Sequence, residues 1–182
     1  MRVSALFVIG GARSGKSRHA QDRMEALPGK LAFVATAQAF DAEMADRIAR
    51  HRADRGARWK TFEAPIELPA MIDRAARGAD AVLVDCLTLW LSNLMLAGCD
   101  VAAATRALIE ALGRCPVPLV LVANEVGMGI VPENALARRF RDEAGRLNQR
   151  IAAIAAEVVF VAAGLPLALK HPSAQGSPVP HS

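Results

Sequence analysis

Apolar residues come in short runs separated by longer amphipathic stretches, and the alternation repeats from one end of the chain to the other. Val3 to Ile9 (VSALFVI), Leu31 to Thr36 (LAFVAT), Ala81 to Asp85 (AVLVD), Val117 to Ala123 (VPLVLVA) and Val158 to Ala162 (VVFVA) are strand-length runs with little polar alternation. That pattern marks strands covered on both faces. Trp59 to Glu63 is a shorter strand candidate ending before Pro65, and Leu167 to Leu169 a last edge strand. Between them, helical patterns span Arg18 to Leu27, Asp41 to Arg55, Ile66 to Arg77, Leu87 to Leu96, Val101 to Leu112 and Asn134 to Ala156. Gly56, Gly78 and Gly98 act as stops after three of these helices. Strand–helix alternation predicts right-handed crossovers and an α/β fold, a mostly parallel sheet with helices on both faces.

In such sheets ligands bind beyond the carboxyl ends of the strands. Gly10 to Ser17, Thr36 to Gln38, Glu63, Asp85 and Asn124 to Gly129 all follow predicted strand ends. The first of these segments, GGARSGKS, fits G-x-x-x-x-G-K-[ST], with a strand before it and a helix after it. Gly10, Gly11, Ala12, Arg13, Ser14 and Gly15 would turn backbone N–H groups around phosphate oxygens, helped by the helix N-terminus. Lys16 would reach the β- and γ-phosphates, and the Ser17 hydroxyl would ligate Mg²⁺. Asp85, closing an apolar strand, is placed to hold the same ion from the other side; its alternative role is to cap the next helix.

His51 reads two ways. Met44, Ile48 and His51 recur at i, i+4 and i+7 on the predicted charged helix, which makes a satisfied core histidine the default. Arg47 and Arg55 flank it by one turn each, so a phosphate-facing nucleophile is the alternative. The segment Asn124 to Asn134, NEVGMGIVPEN, has the polar and glycine-rich make-up of a functional loop, and also of a tight structural connection.

Composition narrows the partners. The net charge is +4 and aromatics are 4% of residues, with no Tyr. The arginines alternate with acids along helices, so the surplus suits anionic small molecules rather than nucleic acid, for which stacking platforms are scarce. Cys86, Cys99 and Cys115 lack metal-type spacing and read as buried thiols in a reducing cytoplasm. No run approaches the roughly 18 apolar residues of a membrane span. A single catalytic domain over residues 1–170 is expected, with a Pro- and Ser-rich tail over 171–182 that reads as disordered and carries two inert histidines.

Four segments together resemble a known family. They are GGARSGKSRHAQ from Gly10, ATAQAFDAEMADRIARHR from Ala35, the W-x-T-x-E of Trp59 to Glu63, and NEVGMGIVPENALARRFRDEAGRLNQR from Asn124. The chain is similar, from Phe7 to about Lys170, to the bifunctional adenosylcobinamide kinase/adenosylcobinamide-phosphate guanylyltransferase family of cobalamin biosynthesis. The resemblance implies a RecA-like P-loop NTPase fold and a homotrimer. It implies phosphorylation of adenosylcobinamide by ATP or GTP, then transfer of GMP from GTP through an enzyme histidine. That histidine matches His51, and nucleotide contacts would fall on Gly10 to Ser17, Thr36, Ala37, Gln38, Arg55, Glu63 and Asp85. Two departures stand out: Gly56 where many relatives have Pro, and Asp85 where some have Glu. A simple small-molecule kinase and a nucleic-acid-stimulated ATPase are the rival readings. The latter lacks a basic, aromatic strand-binding loop here.

Overall fold

The computed structural model describes residues 3–37 and 56–171. The predicted helix Asp41 to Arg55 lies outside the described residues, together with Gln38, His51 and Arg55, as does the tail from residue 172 onward. In chain order the elements are β1 (Val3–Gly10), α1 (Lys16–Glu25), β2 (Leu31–Ala35), β3 (Trp59–Glu63), α2 (Leu68–Ala76) and β4 (Ala81–Asp85). They continue with α3 (Leu87–Leu96), α4 (Val101–Arg114), β5 (Leu119–Asn124), α5 (Ala135–Ile154), β6 (Ala155–Ala162) and β7 (Leu165–Lys170).

The strands form one seven-stranded sheet in the order β3-β2-β4-β5-β1-β6-β7. All neighbours are parallel except β7, which runs antiparallel to β6. The two faces are buried separately, and β1 shows why its sequence does not alternate in polarity. Val3, Ala5 and Phe7 belong to one core, with Leu68 and Ile72 of α2, Trp90 and Leu91 of α3, Leu108 and Leu112 of α4, and Leu147 and Ile151 of α5. Leu6 and Val8 point to the opposite face, where Ala20 and Met24 of α1 pack with Leu83, Val120, Val122, Val159 and Val161. Each sheet face is thus covered, and the strands are apolar at successive positions.

Three boundaries differ from the sequence expectation for a clear physical reason. Helix α1 begins at Lys16 rather than Arg18, because Gly15 adopts the left-handed conformation (φ 93°, ψ 1°) and the helix starts one residue later. Helix α5 ends at Ile154, and the predicted helical Ala155 and Ala156 open β6 instead; Ala155 pairs with Val3, so sheet pairing overrides alanine's helix propensity. The last strand is longer than expected and forms a two-residue hairpin with β6. Its turn residues, Ala163 and Gly164, both have positive φ (51° and 81°), as a type I′ turn requires. Asn134 caps α5, its side chain accepting from the N–H groups of Leu136 and Ala137.

Candidate nucleotide site

Register places the described strand-end site residues along one side of the sheet. Gly10 is level with Asn124, Asp85 with Val122 and Ala35, and Ala35 with Glu63. The carboxyl ends of β1, β5, β4, β2 and β3 therefore open on the same side. Strand β5 lies between the Gly10 strand and the Asp85 strand.

The loop from Gly10 to Ser17 leaves the end of β1, an interior strand between β5 and β6. Lys16 is buried, and its Nζ donates to the Gly11 carbonyl at 3.1 Å, folding the side chain back over the loop. Ser14 is also buried, and its Oγ has no hydrogen-bond partner among the described residues. Ser17, in the first turn of α1, and Asp85, at the end of β4, are half-buried. The N-cap position of α3 is Cys86 rather than Asp85. A hydroxyl and a carboxylate suit Mg²⁺, which keeps several waters and shares its remaining positions with substrate phosphates.

Thr36 and Ala37 follow β2 directly. Thr36 is fully buried, and its hydroxyl does two jobs: it donates to the Cys86 carbonyl at 2.7 Å and accepts from the Cys86 N–H at 2.9 Å. It thereby braces the segment that follows Asp85. Asn93, inside the mainly apolar α3, extends that brace by donating to the Thr36 carbonyl at 2.8 Å and the Pro65 carbonyl at 3.1 Å. Thr88 accepts from the Asn124 N–H at 2.6 Å, and Asn148 donates to the Asn124 carbonyl at 3.3 Å. Sequence reasoning missed Thr88, Asn93 and Asn148. Their only signal was polarity at inward positions of helices, which by itself does not say which strand end they reach.

Cys86 is buried beside the site. Burial first, then the Asp85 charge, pushes its thiol up to about 11, although the nearby Lys16 ammonium opposes the shift. It is therefore a protonated packing residue near neutral pH. Cys99 and Cys115 are only partly buried, less than the sequence suggested. Glu63 is exposed at the end of the edge strand β3, four strand spacings or ~19 Å from β1. The phosphate loop and Glu63 thus stand well apart along the same side of the sheet.

A glycine-rich loop running from a central parallel strand into a helix, with a carboxylate on the strand two places away, defines a phosphate-loop nucleotide-binding α/β protein. Similarity to known proteins narrows that class. Residues 6–169 match the family model described as cobinamide kinase / cobinamide phosphate guanyltransferase. The chain is 49% identical over 169 residues to the bifunctional adenosylcobalamin biosynthesis protein CobP of Pseudomonas aeruginosa, covering 90% of this chain and 96% of the relative. It is 47% identical to the bifunctional adenosylcobalamin biosynthesis protein CobU of Salmonella typhimurium, covering 91% and 99% respectively. The corresponding Escherichia coli protein is 44% identical, with the same coverage. The chain belongs to the cobinamide kinase / cobinamide phosphate guanyltransferase family.

Proposed function

We propose that this protein phosphorylates adenosylcobinamide with ATP or GTP, then transfers GMP from GTP to the product, giving adenosylcobinamide-GDP in cobalamin biosynthesis. The observation that carries the reading is the phosphate loop at the carboxyl end of the interior strand β1, in a chain of this family. In the first reaction the substrate hydroxyl oxygen attacks the γ-phosphorus, and the bond to the nucleoside diphosphate breaks. In the second, a neutral His51 nitrogen attacks the α-phosphorus of GTP and pyrophosphate leaves. A phosphate oxygen of adenosylcobinamide phosphate then displaces the imidazole, which restores the histidine.

Lys16 and the loop N–H groups bind and orient the triphosphate and offset the charge that develops on it. Mg²⁺, held by Ser17 and Asp85, would supply further neutralisation of the phosphates. Gln38, Arg55 and Glu63 are assigned to the nucleotide away from the loop. On the same proposal the enzyme is a cytoplasmic homotrimer; Leu165, Leu167 and Leu169 on the edge strand are 72%, 61% and 56% exposed and offer apolar surface for self-association. No described helix is long and apolar enough to cross a membrane.

Mass spectrometry after incubation with GTP and Mg²⁺ tests the covalent step. One GMP on a His51 peptide is expected, absent in His51→Ala, which should keep measurable phosphorylation of adenosylcobinamide. An undiminished adduct in His51→Ala would overturn the assignment.

A further inference from the structure

A phosphate loop works only if its N–H groups point at the ligand, and in a planar trans peptide the C=O then points the opposite way. Every such carbonyl needs a partner behind the loop. The Gly11 carbonyl finds its partners within the loop, in the Ser14 N–H at 3.3 Å and Lys16 Nζ at 3.1 Å, but two others are held from distant parts of the chain. The Gly10 carbonyl accepts from the Glu125 N–H at 3.0 Å, just after β5. The Ser14 carbonyl accepts from the Gly164 N–H at 2.8 Å, in the β6–β7 turn. Holding the Ser14 carbonyl aims the N–H of the same peptide, that of Gly15, away from the turn.

Packing makes the same connection. A Cβ on Gly10 would lie 2.4 Å from the Val161 carbonyl oxygen of β6, and one on Gly15 would lie 3.2 Å from the Gly164 Cα. Gly10 is therefore required by β6 as well as by phosphate, and a side chain on Gly15 would press on the β6–β7 turn. Gly164 itself is exposed, with open space where a side chain would stand, yet it holds φ at +81°. Its N–H is delivered to Ser14 only while the turn stays type I′.

We propose that the Ala163–Gly164 turn is a positioning element of the nucleotide site, setting the Ser14–Gly15 peptide through the Gly164 N–H. The inference rests on the phosphate loop binding a nucleoside triphosphate, whichever reactions follow. Gly164→Val, which disfavours positive φ, should weaken binding of GTP with Mg²⁺ by about three- to tenfold, the value of one hydrogen bond. Ala163→Asn, which favours the same turn, should leave affinity at the parent level or tighten it. Equilibrium binding of GTP, with thermal melting of each variant alongside, separates this from a stability effect. A Gly164→Val protein that melts earlier but binds GTP as the parent does would overturn the proposal. Should that variant not fold, hydrogen exchange of the parent decides: Mg²⁺ and GTP should slow exchange in the 161–166 peptide together with the 10–17 loop. Slowing confined to 10–17 would overturn the proposal alone. No slowing in either segment would reject nucleotide binding at the loop, and the proposal with it.

Discussion

Lys16 is the side chain on which both proposed reactions depend. It is buried at the loop, spends one donor on the Gly11 carbonyl, and sits near enough to Cys86 to favour that thiol's ionised form. A buried ammonium is strongly held only where an anion compensates it, and a triphosphate does so. Lys16→Ala should lower both phosphorylation and guanylylation by about 10²–10³-fold, as expected when one charge-stabilising donor is lost from a preorganised site. Rates of both reactions in the folded variant check this. A loss confined to one reaction would show that the two do not share the loop. Ser17 is legible in the motif itself, and Asp85 in its place at the end of an apolar strand. The sequence also points Thr36 at the nucleotide; its hydroxyl donates to the Cys86 carbonyl and accepts from the Cys86 N–H.

Among the elements, α3 has the most instructive sequence. LTLWLSNLML is nearly all apolar because Leu87, Trp90, Leu91 and Leu94 lie in the core. Asn93 and Thr88 are its buried polar residues, and the Asn93 amide spans the ends of two loops by bonding the Thr36 and Pro65 carbonyls. Asn93→Leu keeps the volume roughly constant and strands both acceptors. At about 1–2 kcal/mol for each stranded carbonyl, the loss is about 2–4 kcal/mol. The melting temperature should then fall by about 4–16 °C for a chain of this size. An unchanged melting temperature would mean that water replaces the amide without cost. The bounds of β3, β4 and α3 are readable in the sequence because Pro65, Gly78 and Gly98 punctuate them. The end of α5 is not: alanines at 155 and 156 suit a helix locally, and pairing with β1 decides otherwise.

At the scale of the molecule, α1 is tied to β6 by a two-pronged ion pair. Arg23 Nη1 and Nη2 each donate to a Glu157 oxygen at 2.8 Å. Hydrogen bonding to Arg23 holds the Glu157 carboxyl below its ordinary value, so its stabilisation is complete above the unfolded value of about 4.3 and is lost as pH falls through the lowered folded value. His19, on the same helix, is lowered first by burial and then by Arg23, so it resists protonation in the fold. Stability therefore also declines as pH drops below about 6.5, where the unfolded chain takes up that proton. Glu157→Gln should cost under about 1 kcal/mol at pH 7, because the pair is partly exposed, and should flatten the decline below about pH 4.3. Urea melts from about pH 7 to about pH 3 measure both effects across the two titrations. An equally steep acid limb in Glu157→Gln would assign acid sensitivity to other carboxylates.

Much of this protein is local information. The GGARSGKS motif, the strand-length apolar runs and the acid at the end of AVLVD are properties of contiguous residues, so they specify a phosphate-loop α/β protein without reference to strand order. What holds the loop in shape is not local. Strand order β3-β2-β4-β5-β1-β6-β7 brings Glu125 and Gly164 behind Gly10 and Ser14, and it brings the Val161 carbonyl against Gly10. Those contacts depend on which strands lie side by side and in what register. Many distant apolar contacts settle that jointly, and no single segment encodes it.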